Sequence, residues 1–287
     1  MSNKVPISVI ILTYNEEENI EKCLKSIYGW VNEVLIVDSY STDKTLELAK
    51  KYIDKIYQHK FDGHTQQWQW ALNNLPIKSD WIFALDADFI VTEELWKEVS
   101  RRFDNVNKEV VGFYVRRKEI FKGRAILHGG VYPNYRLIIF KKNQVRFDEN
   151  ELVDAHFYVG GKVEKLEFDV IEQNSKDNSI FFWIEKQNKY ARRQAIEEIR
   201  RKNDKLDHPI KMSIFGTPDQ RKLFLKNVWY RFPLYIRPFI YFFYRYILKL
   251  GILDGKEGFI YHFTQCFLYR MLVDINIDEI LSYKKKS

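Results

Sequence analysis

The sequence predicts an α/β fold: a mostly parallel, mixed sheet flanked by helices over residues 1–205, then a helical region over residues 206–287. Three observations predict it. Short apolar runs rich in β-branched residues alternate with stretches of helical periodicity, joined by short connections, through the first hundred residues. Three of those runs end in polar residues, Thr13, Asp38 and the pair Asp86 and Asp88, at the strand ends where parallel sheets carry their sites. Past Asp207-His208-Pro209 the composition turns basic and aromatic.

With 287 residues and 46% apolar content, the chain can bury a full core, and global disorder is excluded. Its net charge of +7 suits an anionic partner, whether phosphate, acidic lipid or nucleic acid. Cys23 and Cys266 have no metal-type spacing and read as reduced, structural thiols. The start, Met1 to Pro6, is short and polar, and Ile7 to Leu12 is too brief for a signal peptide, so a cytoplasmic protein is expected.

The elements follow in order. Ile7 to Leu12 is continuous and β-branched, as in a strand covered on both faces. After Thr13-Tyr14, Asn15 is expected to cap a helix, with Glu18 completing a capping box. Ile20, Cys23, Leu24 and Ile27 then recur at helical spacing. A second strand, Val34 to Val37, ends at Asp38, and Ser41-Thr42-Asp43 opens a helix through Leu46, Leu48 and Ala49. A short strand at Ile56-Tyr57 and a helix from Gln67 to Leu75 lead to the central strand, Trp81 to Leu85. Trp68 and Trp70 are expected to pack against the sheet, His64 to lie in a loop and His128 to be structural. Thr92 caps the next helix, whose first turn carries Glu93 and Glu94, where the helix dipole favours them. Val110 to Ile120 alternates as a strand does, and Gly123-Arg124 forms a turn. From Ser179 a long helix carries Phe182, Ile184, Lys186, Tyr190, Ala191 and Ile199.

Asp86-Ala87-Asp88 organises the chain. In an extended segment residues two apart point to the same side, so both carboxylates address one point beyond the strand end. Two like charges held together are costly without a cation. A divalent metal that also holds a phosphate removes the cost, since magnesium sites use one or two carboxylates plus substrate phosphates.

Three segments carry a family resemblance: Val9-Ile10-Ile11-Leu12-Thr13-Tyr14-Asn15-Glu16-Glu17, Val37-Asp38-Ser39-Tyr40-Ser41-Thr42-Asp43-Lys44-Thr45 and Leu85-Asp86-Ala87-Asp88. In order and spacing the chain resembles family 2 glycosyltransferases of the Rossmann-like GT-A fold, and more narrowly the bacterial enzymes of lipopolysaccharide core or surface polysaccharide synthesis. The resemblance implies a nucleotide diphosphate sugar donor whose nucleoside lies across Thr13 and Asp38, in a loop that includes Asn15. It implies Mg2+ or Mn2+ on Asp86 and Asp88, binding the diphosphate. Many members carry a second acidic residue after the position of Asp38, where this chain has Ser39, and an acidic residue after the Asp-x-Asp, where it has Phe89. Phe61 to Leu72 resembles the family's helix beside the nucleotide, with Gln67 either a donor contact or a solvated helix residue; Trp68 stands where a basic residue is common.

Gly129 to Leu137 resembles the acceptor-side stretch. Its glycines permit close backbone approach to a substrate, and Arg136 can pair bidentately with phosphate. An inverting transferase needs a base for the attacking hydroxyl. Asp154 follows Leu152-Val153, so it is expected to leave a strand partly desolvated, with Glu151 and Glu149 as competitors. Relatives often carry His-Glu at Asp154-Ala155; that departure leaves Asp154 as the base and His156 as a metal or phosphate ligand, or else a structural histidine. Trp183 to Ala191 resembles a segment whose basic and aromatic residues approach substrate; Lys186 and Tyr190, four apart, share a helix face.

Between Lys211 and Leu250 stand eight basic residues, Lys211, Arg221, Lys222, Lys226, Arg231, Arg237, Arg245 and Lys249, against Asp219 alone. Aromatic residues are interleaved with them, and no apolar run reaches membrane-spanning length. This suits helices lying in the headgroup region of a bilayer, broken into short pieces by Pro233 and Pro238. Tyr246 to Gly258 resembles the tail of the lipopolysaccharide-type family, and a further apolar helix is expected from Phe259 to Val273. No nucleic-acid motif accompanies the charge. The expected activity is metal-dependent inverting transfer of a hexose to a lipid-linked saccharide, at the inner face of the cell membrane. The alternatives are a nucleotidyltransferase, for which the Gly-rich activation loop is missing, and a degenerate domain that binds glycan or lipid.

Overall fold

The structure, a computed structural model, describes residues 4–204 and 208–286. The polar start at Met1 and the first residue of the expected linker, Asp207, lie outside the described residues. In chain order come β1 (Val5–Thr13), α1 (Ile20–Ile27), β2 (Val31–Asp38), α2 (Thr45–Ala49), β3 (Ile56–Gln58), α3 (His64–Asn74), β4 (Trp81–Asp86) and β5 (Phe89–Val91). There follow α4 (Glu93–Asp104), β6 (Val110–Phe121), β7 (Arg124–Ala125), β8 (Asn134–Lys141), β9 (Val145–Arg146), β10 (Tyr158–Val159) and β11 (Lys162–Glu172). The rest is helical: α5 (Ile180–Asp204), α6 (Pro218–Trp229), α7 (Arg237–Phe243), α8 (Gly255–His262) and α9 (Tyr269–Lys286).

The chain forms two compact units. The first runs to Ile120 and adds Pro133–Phe147 and Ala155–Ser175; the second holds Phe121–Tyr132, Asp148–Asp154 and the chain from Lys176 onward. The second unit thus begins before residue 205 and takes in α5. The reason is the face α5 presents: Ala191, Ala195 and Ile199 pack with Tyr269, Val273 and Ile277 of α9.

In the first unit the sheet runs β3-β2-β1-β4-β8-β6-β11-β5. The first four strands are parallel, β8 enters antiparallel to both β4 and β6, and β11 lies parallel to β6. Ile7, Val9, Ile10 and Ile11 of β1 are all buried, as a strand covered on both faces requires. Trp68 belongs to the same core, edge-on to Phe157.

Two local expectations are corrected. Asn15 does not cap α1: it sits at φ +52°, in the left-handed region that asparagine tolerates. Its Oδ1 accepts instead from Thr42 N at 2.8 Å, and the residue at the N-cap of α1 is Asn19, four residues beyond the expected cap. Leu152-Val153 is not a strand. Both side chains are only half-buried, and Leu152 N donates to Glu197 Oε2 at 3.1 Å rather than to a strand partner. Asp154 therefore lies in irregular chain.

The second unit is held by charge as well as by apolar packing. Arg237, fully buried, donates to Glu198 (2.6 and 3.1 Å) and to Asp274 (2.8 and 2.5 Å). Pro238 stands in the first turn of α7, where its missing N–H costs nothing. The expected helix at Phe259 begins as α8 and continues into α9 through a π-helical turn, Phe263–Leu268; a second π turn, Tyr244–Leu248, follows α7. His262 is buried against Gly129 and Gly251, where a Cβ would stand 2.0 Å and 2.6 Å from its ring. The close approach that Gly129 permits is therefore used by a side chain of the same unit. His128 is structural as expected, its Nδ1 2.7 Å from Asp254. Among the described residues no helix is long and apolar enough to cross a membrane.

Candidate active site

Parallel pairing aligns the carboxyl ends of three adjacent strands. Thr13 of β1 lies opposite Asp38 of β2, and Leu12 opposite Asp86 of β4. Thr13, Asp38 and Asp86 are thereby brought to one edge of the sheet, with Asp88 in the turn that follows.

The loops leaving β1 and β2 are laced together. Asp38 is fully buried and accepts from Ser41 N (3.0 Å), Ser41 Oγ (2.5 Å) and Gln58 Nε2 (3.1 Å). Ser41 Oγ in turn accepts from Asn15 N at 2.9 Å, so Ser41 joins Asn15 to Asp38. Sequence reasoning read Ser41 only as a helix start. Thr13 Oγ1 is buried and has no hydrogen-bond partner among the described residues. Tyr14 and Tyr40, in the loops that follow β1 and β2, are exposed, planar faces that the sequence reading passed over.

Gln67 is buried, not solvated. Its amide donates to Ser39 Oγ (3.1 Å) and His59 O (3.2 Å), and its Oε1 lies 2.8 Å from His59 Nδ1. His59 stacks on Trp70 at 4.3 Å between centroids.

Asp86 and Asp88 are half-buried. Asn174, just past β11, donates to Asp88 Oδ2 at 3.1 Å, and Asn19 donates to Asn174 Oδ1 at 3.1 Å. The buried Asn19 is itself fixed by Glu16 (2.6 Å) and Ser175 N (2.9 Å). Neither asparagine was legible as functional, because each acts across more than sixty residues of sequence. Cys23 is buried beneath the pair, its Sγ 3.7 Å from Asp86 O. Burial pushes its thiol up, and the carboxylates of Asp88, Asp86 and Glu16 push it further; the structural reading of this thiol holds. Two carboxylates are hard oxygen donors of the kind magnesium and manganese take. With the unpartnered Thr13 hydroxyl at the adjacent strand end, they fit a divalent ion and its phosphate ligand.

Arg136, on β8, and His156 are brought together, Nη1 lying 3.3 Å from Nε2. The imidazole lone pair that would bind a metal there accepts from a guanidinium.

The remaining expected residues belong to the second unit. Asp154 is half-buried, Glu149 exposed and Glu151 buried. Lys186 pairs with Asp177 at 3.2 Å and lies over the Trp183 ring, while Tyr190 packs on the α5–α9 core. Asp148, Glu151 and His208 can bring ligand atoms within 4.8 Å of one another. Asp148 is already met by Arg201 at 2.7 Å and His208 at 3.4 Å, so this cluster reads as an ion-pair network.

Glycosyl transferase family 2 matches residues 8–168, more than half of the chain. The lipopolysaccharide core biosynthesis glycosyltransferase LpsC of Rhizobium meliloti is 27% identical over 212 residues, 69% of this chain and 74% of that protein. An uncharacterized glycosyltransferase of Rickettsia bellii is 35% identical over 103 residues, and the chain spans 34% of its length. Glucosyl-3-phosphoglycerate synthase from Mycobacterium tuberculosis, solved with Mn2+, uridine diphosphate and glucosyl-3-phosphoglycerate, overlaps 40% of this chain and 44% of its own. That overlap has 21% identity and a TM-score of 0.32.

Proposed function

Because the chain belongs to glycosyl transferase family 2, we propose that it is a metal-dependent inverting hexosyltransferase, moving sugar from a nucleotide diphosphate donor to a lipid-linked saccharide. The observation that carries this reading is the alignment of Thr13, Asp38 and Asp86 at one sheet edge with Asp88 beside them. Asp86 and Asp88 hold Mg2+ or Mn2+, which when bound neutralises charge on the leaving diphosphate. Thr13 offers its unpartnered hydroxyl to the donor. Asp38, through Ser41, fixes the Asn15 loop that borders the nucleoside. Gln67 keeps Ser39 and His59 in place at that border. Arg136 supplies charge toward phosphate and orients His156, which serves as a ligand only if that contact opens. Asp154 accepts the proton of the attacking hydroxyl, and Lys186 and Tyr190 line the acceptor's approach.

The same reading places the enzyme peripherally on the inner face of the cell membrane, in lipopolysaccharide or polysaccharide synthesis. Support comes from LpsC as a relative and from the surface of the second unit. Ile236, Phe239, Ile240, Phe243, Ile247 and Leu248 recur at helical spacing and are all exposed. No acidic residue occurs between Asp219 and Asp254. Apolar side chains flanked by cations suit an anionic bilayer surface.

The test is turnover of a panel of nucleotide diphosphate sugars by the full chain with Mn2+ or Mg2+. Asp88→Asn, confirmed as folded by its thermal transition, is expected to lose activity by on the order of a hundredfold or more. Undiminished turnover in that variant, or in excess chelator, overturns the metal-dependent reading.

A further inference from the structure

Three arginines of the C-terminal helices, Arg237 buried and Arg245 and Arg270 half-buried, are treated differently by the chain. Arg237 is neutralised by two carboxylates. Arg245 and Arg270 line one cavity of about 120 Å³ with Tyr241, Tyr261, Gln265, Cys266 and Tyr269, and no carboxylate belongs to that lining. Among the described residues neither guanidinium has an ion-pair partner. Arg245 donates to Gly129 O and, at 2.5 Å, to the Tyr241 hydroxyl. Arg270 is held by ring faces instead, 5.1 Å from Tyr269, 5.5 Å from Tyr241 and 5.8 Å from Trp229. Its Nε is buried without a hydrogen-bond partner, and so is Gln265 Oε1.

Placing two cations at one partly solvent-open cavity is unfavourable unless an anion joins them. Planar guanidiniums with hydroxyl donors between them are the groups that recognise phosphate oxygens. At about 30 Å³ of liquid per water the cavity has room for roughly four waters, comparable with one tetrahedral oxyanion. The backbone is also unusual here. Arg245 lies in one π-helical turn and Gln265 in the other, and π turns concentrate at functional sites.

We propose that this cavity binds a phosphate group, with Arg270 and Arg245 as its charged donors. The group comes either from free phosphate or diphosphate or from the headgroup of a phospholipid. None of its lining residues belongs to the Asp86-Asp88 edge, and the proposal is independent of the transferase reading.

The test uses the full chain in chelator, so that metal-dependent diphosphate binding at the sheet edge is silent. Inorganic phosphate and pyrophosphate are titrated against chloride at equal ionic strength, reading the thermal midpoint, alongside sedimentation with phosphatidic acid and phosphatidylcholine vesicles. Arg270→Gln is expected to weaken phosphate affinity by about 10- to 100-fold, the span of one charge-assisted hydrogen bond. Arg270→Lys, which keeps the charge and loses the fork, is expected to fall between and serves as the reading if the glutamine variant does not fold. Loss of sedimentation with phosphatidic acid in Arg270→Gln, together with release of the wild type from those vesicles by added phosphate, assigns the headgroup; loss of solution affinity alone assigns free phosphate. Equal phosphate response in wild type and both variants, or none beyond that of chloride, overturns the proposal.

Discussion

Asn174→Ala is the sharpest probe of the proposed metal edge, because Asn174 touches Asp88 and is not itself an expected ligand. Its amide donates to Asp88 Oδ2 at 3.1 Å, and its carbonyl is held by Asn19 at 3.1 Å. Removing a hydrogen bond to a charged group costs about 1.5–3 kcal/mol. At about 1.36 kcal/mol per decade, that is roughly 10- to 150-fold, in line with the about 10- to 100-fold lost when an outer partner of a metal ligand is removed. The loss should fall on metal affinity, since the carboxylate remains but is no longer held in one rotamer. Initial rates against Mn2+ at fixed donor, with calorimetric Mn2+ titration in parallel, read both quantities. The expected result is a metal half-saturation raised at least tenfold with the rate at saturating Mn2+ nearly kept. Asn174→Ala with wild-type metal dependence, beside an inactive Asp88→Asn, would refute the argument that this hydrogen bond positions the carboxylate.

Further outcomes follow from the second unit. Arg237→Met leaves Asp274 buried without its countercharge and Glu198 with Lys202 alone, and breaking a buried pair costs about 3–5 kcal/mol; chemical denaturation reads it, and a change under about 1 kcal/mol contradicts it. Gly129→Ala forces a Cβ against His262 at φ +64°, so about 1–2 kcal/mol of backbone strain adds to overpacking of about 1–3 kcal/mol, visible as a lowered thermal midpoint. Acid should destabilise this unit. Burial pushes Asp148 and Glu197 up, but Arg201 and Lys226 outweigh it and hold both below their usual 3.8 and 4.5, while burial holds His208 below its usual 6.5. Groups lowered in the folded state contribute stability above their unfolded values and lose it as pH falls through the folded ones. Calorimetry should show the midpoint dropping first below about pH 6.5 and again through the carboxylate range, less steeply in Arg201→Leu; a midpoint flat from neutral pH to pH 3 would contradict this.

Much of the first unit was legible because its signals are local. A continuous β-branched run such as Ile7 to Leu12 has one favourable place, the covered interior of a parallel sheet, and Asp86-Ala87-Asp88 announces a strand end by its own chemistry. What was not legible depends on partners far away in sequence. Asn15 and Glu18 have the residues of a capping box, yet Thr42, in the next loop, takes the Asn15 side chain. Leu152-Val153 has strand composition, yet Glu197 on α5 takes its backbone. Gln67 reads as a polar helix residue, and only His59 and Ser39, brought from two strand ends, explain its burial. In each case a tertiary hydrogen bond satisfies the backbone or amide group that the local pattern assigned elsewhere.

The same limit changes the electrostatics of the proposed membrane face. Counted in sequence, the eight basic residues from Lys211 to Lys249 all count as available to anionic lipid. At least three are not: Lys226 is bound by Glu197 at 2.7 Å, Arg237 by Glu198 and Asp274, and Arg245 faces the cavity. Lys211, Arg221, Lys222, Arg231 and Lys249 are the exposed members. At about 1 kcal/mol per cation close to an anionic leaflet, attraction falls from roughly 8 to roughly 5 kcal/mol before salt screening. The exposed apolar stripe from Ile236 to Leu248 must then carry much of the binding. Phe239→Ser with Phe243→Ser should accordingly release the chain from anionic vesicles even at low salt, whereas Arg221→Gln with Lys222→Gln should weaken association chiefly at low salt and leave what remains less salt-dependent. The opposite ranking of the two pairs would mean that charge, not the aromatic stripe, holds this protein at a bilayer.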